Sequence, residues 1–286
     1  MNAFRTGLLM ATLTAMFLVV GYLLGGRPGM VVAFCFATLT NLWTYWNSDK
    51  TLLSMYGARE AGVARYPGLI HLITQLASKA GLPTPKLFVV DNRHPNAFAA
   101  GRNPEHASIC VTTGLLARVS YEELAGVLAH ELGHVKHRDT LTMTITAMIA
   151  GAISNLADFA SRSGGERRKD TFRVVDTLLM MLLAPIAAVL GQIAVSRMRE
   201  FDADRAGAVI SGSPLWLASA LQHIDEIARS IDGQEAEQNP DTVHMIVLDS
   251  LHDRFSGLFA SHPPMVERIA RLNAMDLKES AAGPWA

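Results

Sequence analysis

Charged side chains are scarce in this sequence of 286 residues: they make up 18%, against about 25% in typical soluble domains. Half of the residues are hydrophobic, which excludes an ordinary soluble enzyme and indicates membrane segments. The net charge is −1, so no excess of positive charge indicates binding to nucleic acid. The two cysteines, Cys35 in an apolar run and Cys110 in a strand-like one, exclude a disulfide framework. Both thiols are predicted to be packing residues in a reducing compartment.

Long uncharged runs are abundant, and two of them open the chain. Residues 6–26 and 28–48 are apolar, and at about 1.5 Å per residue each can cross a hydrocarbon core of about 30 Å. The GGRPG sequence between them predicts a tight turn, and the second run ends in aromatic residues typical of a membrane interface (Trp43, Tyr45 and Trp46). A signal peptide is the alternative, but no convincing cleavage site is present. Residues 1–50 are therefore predicted to form a transmembrane hairpin, and residues 51–286 a second domain.

Positive charges lie at both ends of this hairpin. Arg5 precedes the first run, and Lys50, Arg59 and Arg65 follow the second. Because Lys and Arg accumulate on the cytoplasmic side of membrane proteins, both ends are expected in the cytoplasm. The prediction is a multi-pass protein of the cytoplasmic membrane, with the second domain facing the cytoplasm.

A second apolar pair interrupts this domain at about residues 140–196. Residues 140–157 and 177–196 are uncharged, and the segment between them, residues 161–173, is strongly basic. If both runs crossed the bilayer, the basic segment would lie outside, against the usual distribution of positive charge. Two alternatives stay open: four spans, or two spans and a hairpin that is buried in protein or only dips into the membrane.

The remaining segments predict an α+β fold that is mainly helical, with a small sheet and transmembrane helices. The sheet precedes a helix that begins after Ser120, and a polar loop is expected over residues 230–242. Periodicity and turn residues predict strands at 86–90, 96–101 and 108–114, and further helices at 67–80, 214–229 and 265–275.

The sequence HELGH at residues 130–134 carries the chemistry. Two histidines four residues apart lie on one face of a helix, so His130 and His134 can bind one metal ion. Glu131 lies beside them, where its carboxylate can accept a proton from a water molecule that the metal activates. Ser120 and Glu123 form a capping box that starts this helix.

The alternative for these residues is an amphipathic helix that binds no metal, since the pattern is short. Both histidines and Glu131 lie among apolar and small residues. Burying them without partners would cost several kcal/mol. A metal ion is the simpler explanation.

A catalytic metal needs a further protein ligand and an open position for water. Glu200 is the candidate, because it lies on the helix that returns from the second apolar hairpin while the HELGH helix leads into it. Asp204 lies one turn further on the same face and can accept a hydrogen bond from the free ring nitrogen of a ligand histidine. The alternative is a solvated charged helix end.

The ordered motifs resemble those of the HtpX heat-shock membrane proteases, gluzincins related to the prenyl-protein (CAAX) endopeptidases. The resemblance covers nearly the whole chain and rests on PNAFAAG at 95–101, HELGH at 130–134, SRMREFDADRAGA at 196–208 and SHPPMVERI at 261–269. It implies a zincin-like domain with one Zn²⁺ per chain. It further implies zinc-dependent endoproteolysis of misfolded or damaged membrane proteins and unfolded polypeptides, in a stress response, from the cytoplasmic face of the bacterial inner membrane.

The resemblance also suggests roles for the substrate strand and an oxyanion donor. Asn96, Ala97, Phe98 and Ala99 lie in a short run that is either a buried strand or a sheet edge that aligns an extended peptide. His262, held between Ser261 and two prolines, is a candidate to stabilise the oxyanion, and Arg199 is its rival. For His262 the alternative is a capping turn that packs the last helix.

Two other functions stay open at this point. One is a zinc-stabilised membrane scaffold or chaperone partner without turnover, against which the presence of Glu131 argues. The other is a dedicated prenyl-type processing endopeptidase. The sequence leaves the oligomeric state and the natural substrates open.

Overall fold

The structure is a computed structural model that describes residues 2–148, 197–238 and 264–281. The basic segment, most of the second apolar pair and His262 lie outside the described residues. The elements in chain order are α1 (Asn2–Met55), β1 (Arg59–Glu60), α2 (Pro67–Ala80), β2 (Lys86–Val90), β3 (Ala97–Gly101), β4 (Ala107–Thr112), α3 (Thr113–Arg118), α4 (Tyr121–Lys136), α5 (described over 140–148), α6 (Arg197–Ser211), α7 (Pro214–Gln238) and α8 (Met265–Ala281).

Helix α1 is broken at a glycine pair and folds back on itself. Gly25 and Gly26 leave the helical conformation, and Gly26 adopts a positive φ of 61°, which favours glycine. The two arms pack antiparallel, because the Phe17 and Phe36 ring centroids lie 5.6 Å apart and the Asn41 amide donates to Thr14 Oγ1 at 2.9 Å. The reversal lies at the GGRPG turn.

Within the part of the chain that the structure describes, one segment is long and apolar enough to cross a membrane. It is Thr6–Leu23, and 12% of it is buried inside the protein. Multi-pass topology stays a prediction.

The sheet has the order β1-β2-β4-β3, so β3 is its last described strand. Strands β2 and β4 are parallel, with Leu87 opposite Ile109, and β3 runs antiparallel to β4, with Ala99 opposite Ile109. All six residues of β4 are buried, as expected for a central strand with both faces covered. The three strands that were predicted are present, and β1 was not predicted.

The two faces of the sheet pack against different elements. One face joins α2 and α4 in the main core, through Leu87, Ile109 and Val111. The other face packs against the end of α1, where Leu53 and Tyr56 contact Cys110 and Phe98. The sheet therefore connects the helix bearing HELGH to the end of the N-terminal hairpin. Cys110 is buried, and burial raises the pKa of its thiol to about 12, so it packs as an inert apolar group.

Helices α4 and α6 approach closely through two glycines. A Cβ atom on Gly207 would lie 3.0 Å from the His130 backbone, and one on Gly133 would lie 3.0 Å from the Ala203 carbonyl oxygen. Larger residues at either position would force the helices apart. This close packing holds the Glu200 side of α6 against the histidine face of α4.

Three predicted boundaries are wrong at their C-terminal ends. The strand predicted at 108–114 ends at Thr112, because Thr112 caps helix α3, which begins at Thr113. Helix α7 continues to Gln238 instead of ending at Arg229, and α8 continues to Ala281 instead of Met275. Residues 230–238 were predicted as part of a loop, but they contain the helix-forming residues Glu, Gln and Ala, and the first proline comes only at Pro240. Polarity was mistaken there for irregular structure.

Candidate metal centre

Local sequence starts helix α4 as predicted. Ser120 Oγ accepts a hydrogen bond from the Glu123 backbone at 3.1 Å, and Glu123 Oε2 accepts one from the Ser120 backbone at 2.8 Å. Glu123 also accepts a hydrogen bond from Ser219 Oγ at 2.7 Å, which attaches the start of α4 to α7. The capping box therefore fixes both the first turn of the helix and its position.

The structure brings His130, His134 and Glu200 together. The two Nε2 atoms lie 3.2 Å apart. Glu200 Oε2 lies 3.7 Å from His130 Nε2, and Glu200 Oε1 lies 3.5 Å from His134 Nε2. All three side chains are buried. Their ligand atoms lie within 4.8 Å of one another, as a shared metal ion requires.

Two carboxylates fix the orientation of the imidazoles. Asp204 Oδ1 lies 2.9 Å from His130 Nδ1, and Asp139 Oδ2 lies 3.3 Å from His134 Nδ1. Because an ionised carboxylate only accepts hydrogen bonds, we assign the ring protons to the two Nδ1 atoms. The Nε2 atoms then present lone pairs to each other and to Glu200, so a positive charge is needed between them.

The donor set fits a zinc ion. A tetrahedral ion with bonds of about 2.0–2.2 Å separates its ligand atoms by roughly 3.3–3.6 Å, close to the distances found here. Burial alone lowers the pKa of His134, but its hydrogen bond to Asp139 and the nearby Glu200 and Glu131 carboxylates raise it above the usual value. The surroundings thus favour a cation, which a divalent metal ion would supply.

Glu131 lies beside this cluster with one oxygen unsatisfied. Its Oε2 atom is buried and has no hydrogen-bond partner among the described residues. The nearby backbone N–H of Ala99 acts to lower the pKa of this carboxylate, but its effect is smaller than that of burial. Burial raises the pKa of Glu131, an effect that positive charge on His130 and His134 opposes and that the Glu200 carboxylate reinforces. A buried carboxylate with an open acceptor and a raised pKa is suited to taking up a proton.

Sequence reasoning missed Arg268, which joins the cluster from helix α8. Its Nε and Nη2 atoms donate to the two Asp204 oxygens at 2.9 and 2.6 Å, and its Nη1 lies 3.4 Å from Glu200 Oε2. Although burial raises the pKa of Asp204, hydrogen bonds from His130 and Arg268 hold it below the usual value. The available signal was that Arg268 belongs to the SHPPMVERI motif, but sequence reasoning considered only His262 in that motif.

Sequence reasoning also missed Asp139, and it offered a different role for Arg199. Arg199 is buried, and its Nη1 lies 3.3 Å from Asp139 Oδ1. Arg199 therefore holds the carboxylate that orients His134. Its part as oxyanion donor stays a prediction, as does that of His262 beyond the described residues.

The predicted substrate segment lies in β3, the last described strand of the sheet. Asn96 comes directly before β3, and its backbone N–H donates to Thr112 Oγ1 at 2.9 Å. The Phe98 ring packs against Tyr56 on the face opposite α4. Ala97 is half-buried, while Ala99 is buried and adjoins Glu131. The strand thus passes beside the candidate base, and its role in binding substrate stays a prediction.

Comparison with known proteins identifies the family. The profile of Peptidase family M48 matches residues 64–276, about three quarters of the chain. The chain belongs to this family. The M48 chain is 51% identical over 277 residues to "Protease HtpX homolog" of Acidiphilium cryptum (strain JF-5), and the match covers 96% of each protein. The resemblance to the HtpX proteases is therefore confirmed.

A solved structure shares the fold of the M48 chain. The crystal structure of Ste24p from S. mikatae superposes with a TM-score of 0.51 at 20% identity, over 92% of this chain and 62% of that one. At this identity the likeness shows the fold alone. The chain spans less than two thirds of the length of that protein.

The Arg268–Asp204 pair should be strongly coupled. Arg268→Met should lower the free energy of unfolding by about 3–5 kcal/mol, because it leaves the Asp204 carboxylate buried without its partner. Denaturant unfolding in detergent measures this. The double variant Asp204→Asn/Arg268→Met should lose less than the sum of the single variants. Arg205→Met, at an exposed arginine of α6, should change stability by less than about 0.5 kcal/mol. Strictly additive losses would contradict the pairing.

Proposed function

We propose that this M48 chain is a membrane-bound zinc endopeptidase that cleaves misfolded or damaged membrane proteins from the cytoplasmic face of the bacterial inner membrane. The supporting observation is the pair of Nε2 atoms that face each other at 3.2 Å beside Glu200, with a buried acceptor of Glu131 next to them. That arrangement needs a cation, and it supplies a base within reach of it.

The residues divide the chemistry of amide hydrolysis among them. His130, His134 and Glu200 would hold Zn²⁺, which supplies electrophilic assistance to the peptide carbonyl and to the attacking water. Glu131 accepts the proton of that water and delivers it to the leaving amine. Asp204 and Asp139 keep the imidazoles in the tautomer that binds the metal, and Arg268 and Arg199 hold those two carboxylates in place.

Position at a membrane is supported by the N-terminal hairpin. Its first arm is long and apolar enough to span. Large apolar side chains are exposed on both arms, such as Leu23 on the first and Val32 and Leu39 on the second. Exposed apolar surface on this scale suits a lipid environment. The cytoplasmic orientation rests on the positive charges at the ends of the hairpin, and a role in the stress response rests on the likeness to the HtpX protease.

Metal removal tests this function. The full chain, purified in detergent, should degrade unfolded casein, lose that activity to a chelator and regain it when about one equivalent of Zn²⁺ per chain is added. Bound metal measured in parallel should follow the activity. Zinc binding without cleavage of casein or of the chain itself would favour the scaffold instead. Activity that persists after the metal has been stripped would overturn the proposal.

A further inference from the structure

Strand β3 runs in a defined direction relative to the N-terminal hairpin. The Phe98 ring lies 5.0 Å from the Tyr56 ring, measured between centroids, and Arg102 Nη1 donates to the Trp46 carbonyl oxygen at 3.1 Å. Tyr56 follows the end of α1, and Trp46 lies ten residues earlier, at the end of the second apolar run. The strand therefore runs alongside α1 toward the apolar arms, and Gly101 lies at the end of the strand that is nearest to those arms.

A second set of contacts places the same end of β3 at the root of the first arm. The Gly101 backbone N–H donates to Thr144 Oγ1 at 3.3 Å, and Thr142 Oγ1 in the same helix lies 2.8 Å from Thr6 Oγ1. In the same helix, Leu141 and Ile145 pack against apolar residues of both arms (Met10, Leu13 and Tyr45). Thr6 begins the first apolar run and Trp46 ends the second. Both sets of contacts therefore place the Gly101 end of β3 beside the ends of the apolar arms, where the membrane surface is expected.

The position where hydrolysis is expected lies close to the ends of the apolar arms. Ala99 belongs to the same buried cluster as Leu128 and Leu132 of α4, and its backbone N–H is near enough to the Glu131 carboxylate to act on its pKa. The reacting position is therefore placed beside Ala99. Three residues separate Ala99 from Arg102, which is roughly 10 Å of extended chain. An extended peptide that pairs antiparallel with β3, the more stable pairing, runs from the Gly101 end of the strand toward Asn96. Because the Gly101 N–H already donates to Thr144, the peptide pairs with residues 97–99. Its N-terminal part then lies nearest the apolar arms.

We propose that the site accepts membrane substrates with one polarity: it cleaves cytoplasmic segments that follow a membrane span and discriminates against short segments that precede one. This inference rests on the proposed function, because it takes the site as proteolytic and the apolar arms as membrane-embedded. The residues before the cut occupy the end of β3 next to the bilayer, and those after the cut extend toward the cytoplasm.

Chain geometry gives the size of the discrimination. A segment that leaves a span and approaches β3 from its Gly101 end reaches Glu131 after about three residues. A segment that precedes a span must pass Glu131, continue to the Asn96 end and return to the bilayer. At roughly 3.3 Å per residue, and with a turn to reverse the chain, that path needs about ten residues between the cut and the span. Short tails therefore separate the two topologies, and long tails do not.

Single-span substrates test the polarity. Each carries one unstructured cytoplasmic tail of the same composition, placed either after or before the span, and each is reconstituted with the full chain in liposomes. With tails of about eight residues, the substrate whose tail follows the span should be cleaved at least about tenfold faster, because geometry forbids the other from engaging. With tails of about 40 residues the two rates should agree within about threefold, since such a chain can double back.

The cut positions provide a second readout. Mass spectrometry should find the nearest cut about three to five residues beyond the span in the following tail, and about ten or more residues away in the preceding tail. Equal rates with short tails, or equal distances of the cuts from the span, would overturn the proposal. Soluble casein serves as the control. If casein is degraded while the two topologies are treated alike, the polarity is wrong and the protease stands; if casein stays intact, the proposed function fails.

Discussion

Glu131→Gln is expected to abolish peptide hydrolysis while the chain keeps its metal. The amide retains the size of the carboxylate but has no basic oxygen, so the proton of the attacking water has no acceptor. General acid–base catalysis typically contributes about 10²- to 10⁴-fold, and the loss of casein cleavage should lie in or beyond this range. The loss is measured as the initial rate of casein cleavage and the initial rate at which the self-cleavage product forms. Metal analysis should give the same stoichiometry as for the unmodified chain.

The matched control for this change is Glu122→Gln. Glu122 is an exposed glutamate in the first turn of the same helix, so the substitution makes the same chemical change without touching the metal cluster. Its cleavage rate should stay within about twofold, the range expected where surface substitutions alter stability by less than about 0.5 kcal/mol. Full activity of Glu131→Gln would remove Glu131 as the base and with it the proposed division of roles.

Glu200→Gln should release the metal and, with it, the activity. The substitution replaces the only charged ligand of the proposed set by a weak neutral one. Loss of an outer partner typically costs about 10–100-fold in metal affinity, and loss of a ligand should exceed that. Competition titration with a zinc-binding dye measures the affinity directly, without reference to turnover. A cobalt-substituted sample should also lose its visible absorption.

Asp202→Asn provides the comparison on the same helix. Asp202 is exposed two residues from Glu200, so its replacement removes a nearby charge but no ligand. Metal affinity of this variant should stay within about twofold, because an exposed charge is well screened by solvent. Retention of tight zinc binding by Glu200→Gln would show that the third ligand lies elsewhere. Equal loss in both variants would point to a long-range charge effect instead of ligation.

The segments that could be predicted from the sequence are those whose structure is decided locally. Helix α2 has the predicted bounds, Pro67–Ala80, because proline starts it and Gly81, with a φ of 70°, ends it. The capping box of α4 was predicted from Ser120 and Glu123 alone. The spacing of His130 and His134 placed both on one face, since four residues make about one helical turn.

The pairing of HELGH with Glu200 depended on topology as well as on spacing. The prediction followed from two helices that meet at the root of one apolar pair, and the structure brings the three side chains within 4.8 Å of one another. The close approach itself comes from Gly133 and Gly207, which let α4 and α6 touch through their backbones. Neither glycine could be given that role before the partner helix was known.

The sequence by itself determined the helix that carries HELGH, the three strands, the apolar arms and the residues able to bind a metal, because propensity, capping and periodicity act over a few neighbouring residues. Only the tertiary structure decided that Arg268 holds Asp204 across 64 residues, that Arg199 holds Asp139, and that β3 points its C-terminal end at the apolar arms. Such contacts depend on how separate elements pack, and no local pattern encodes which buried charge will meet which.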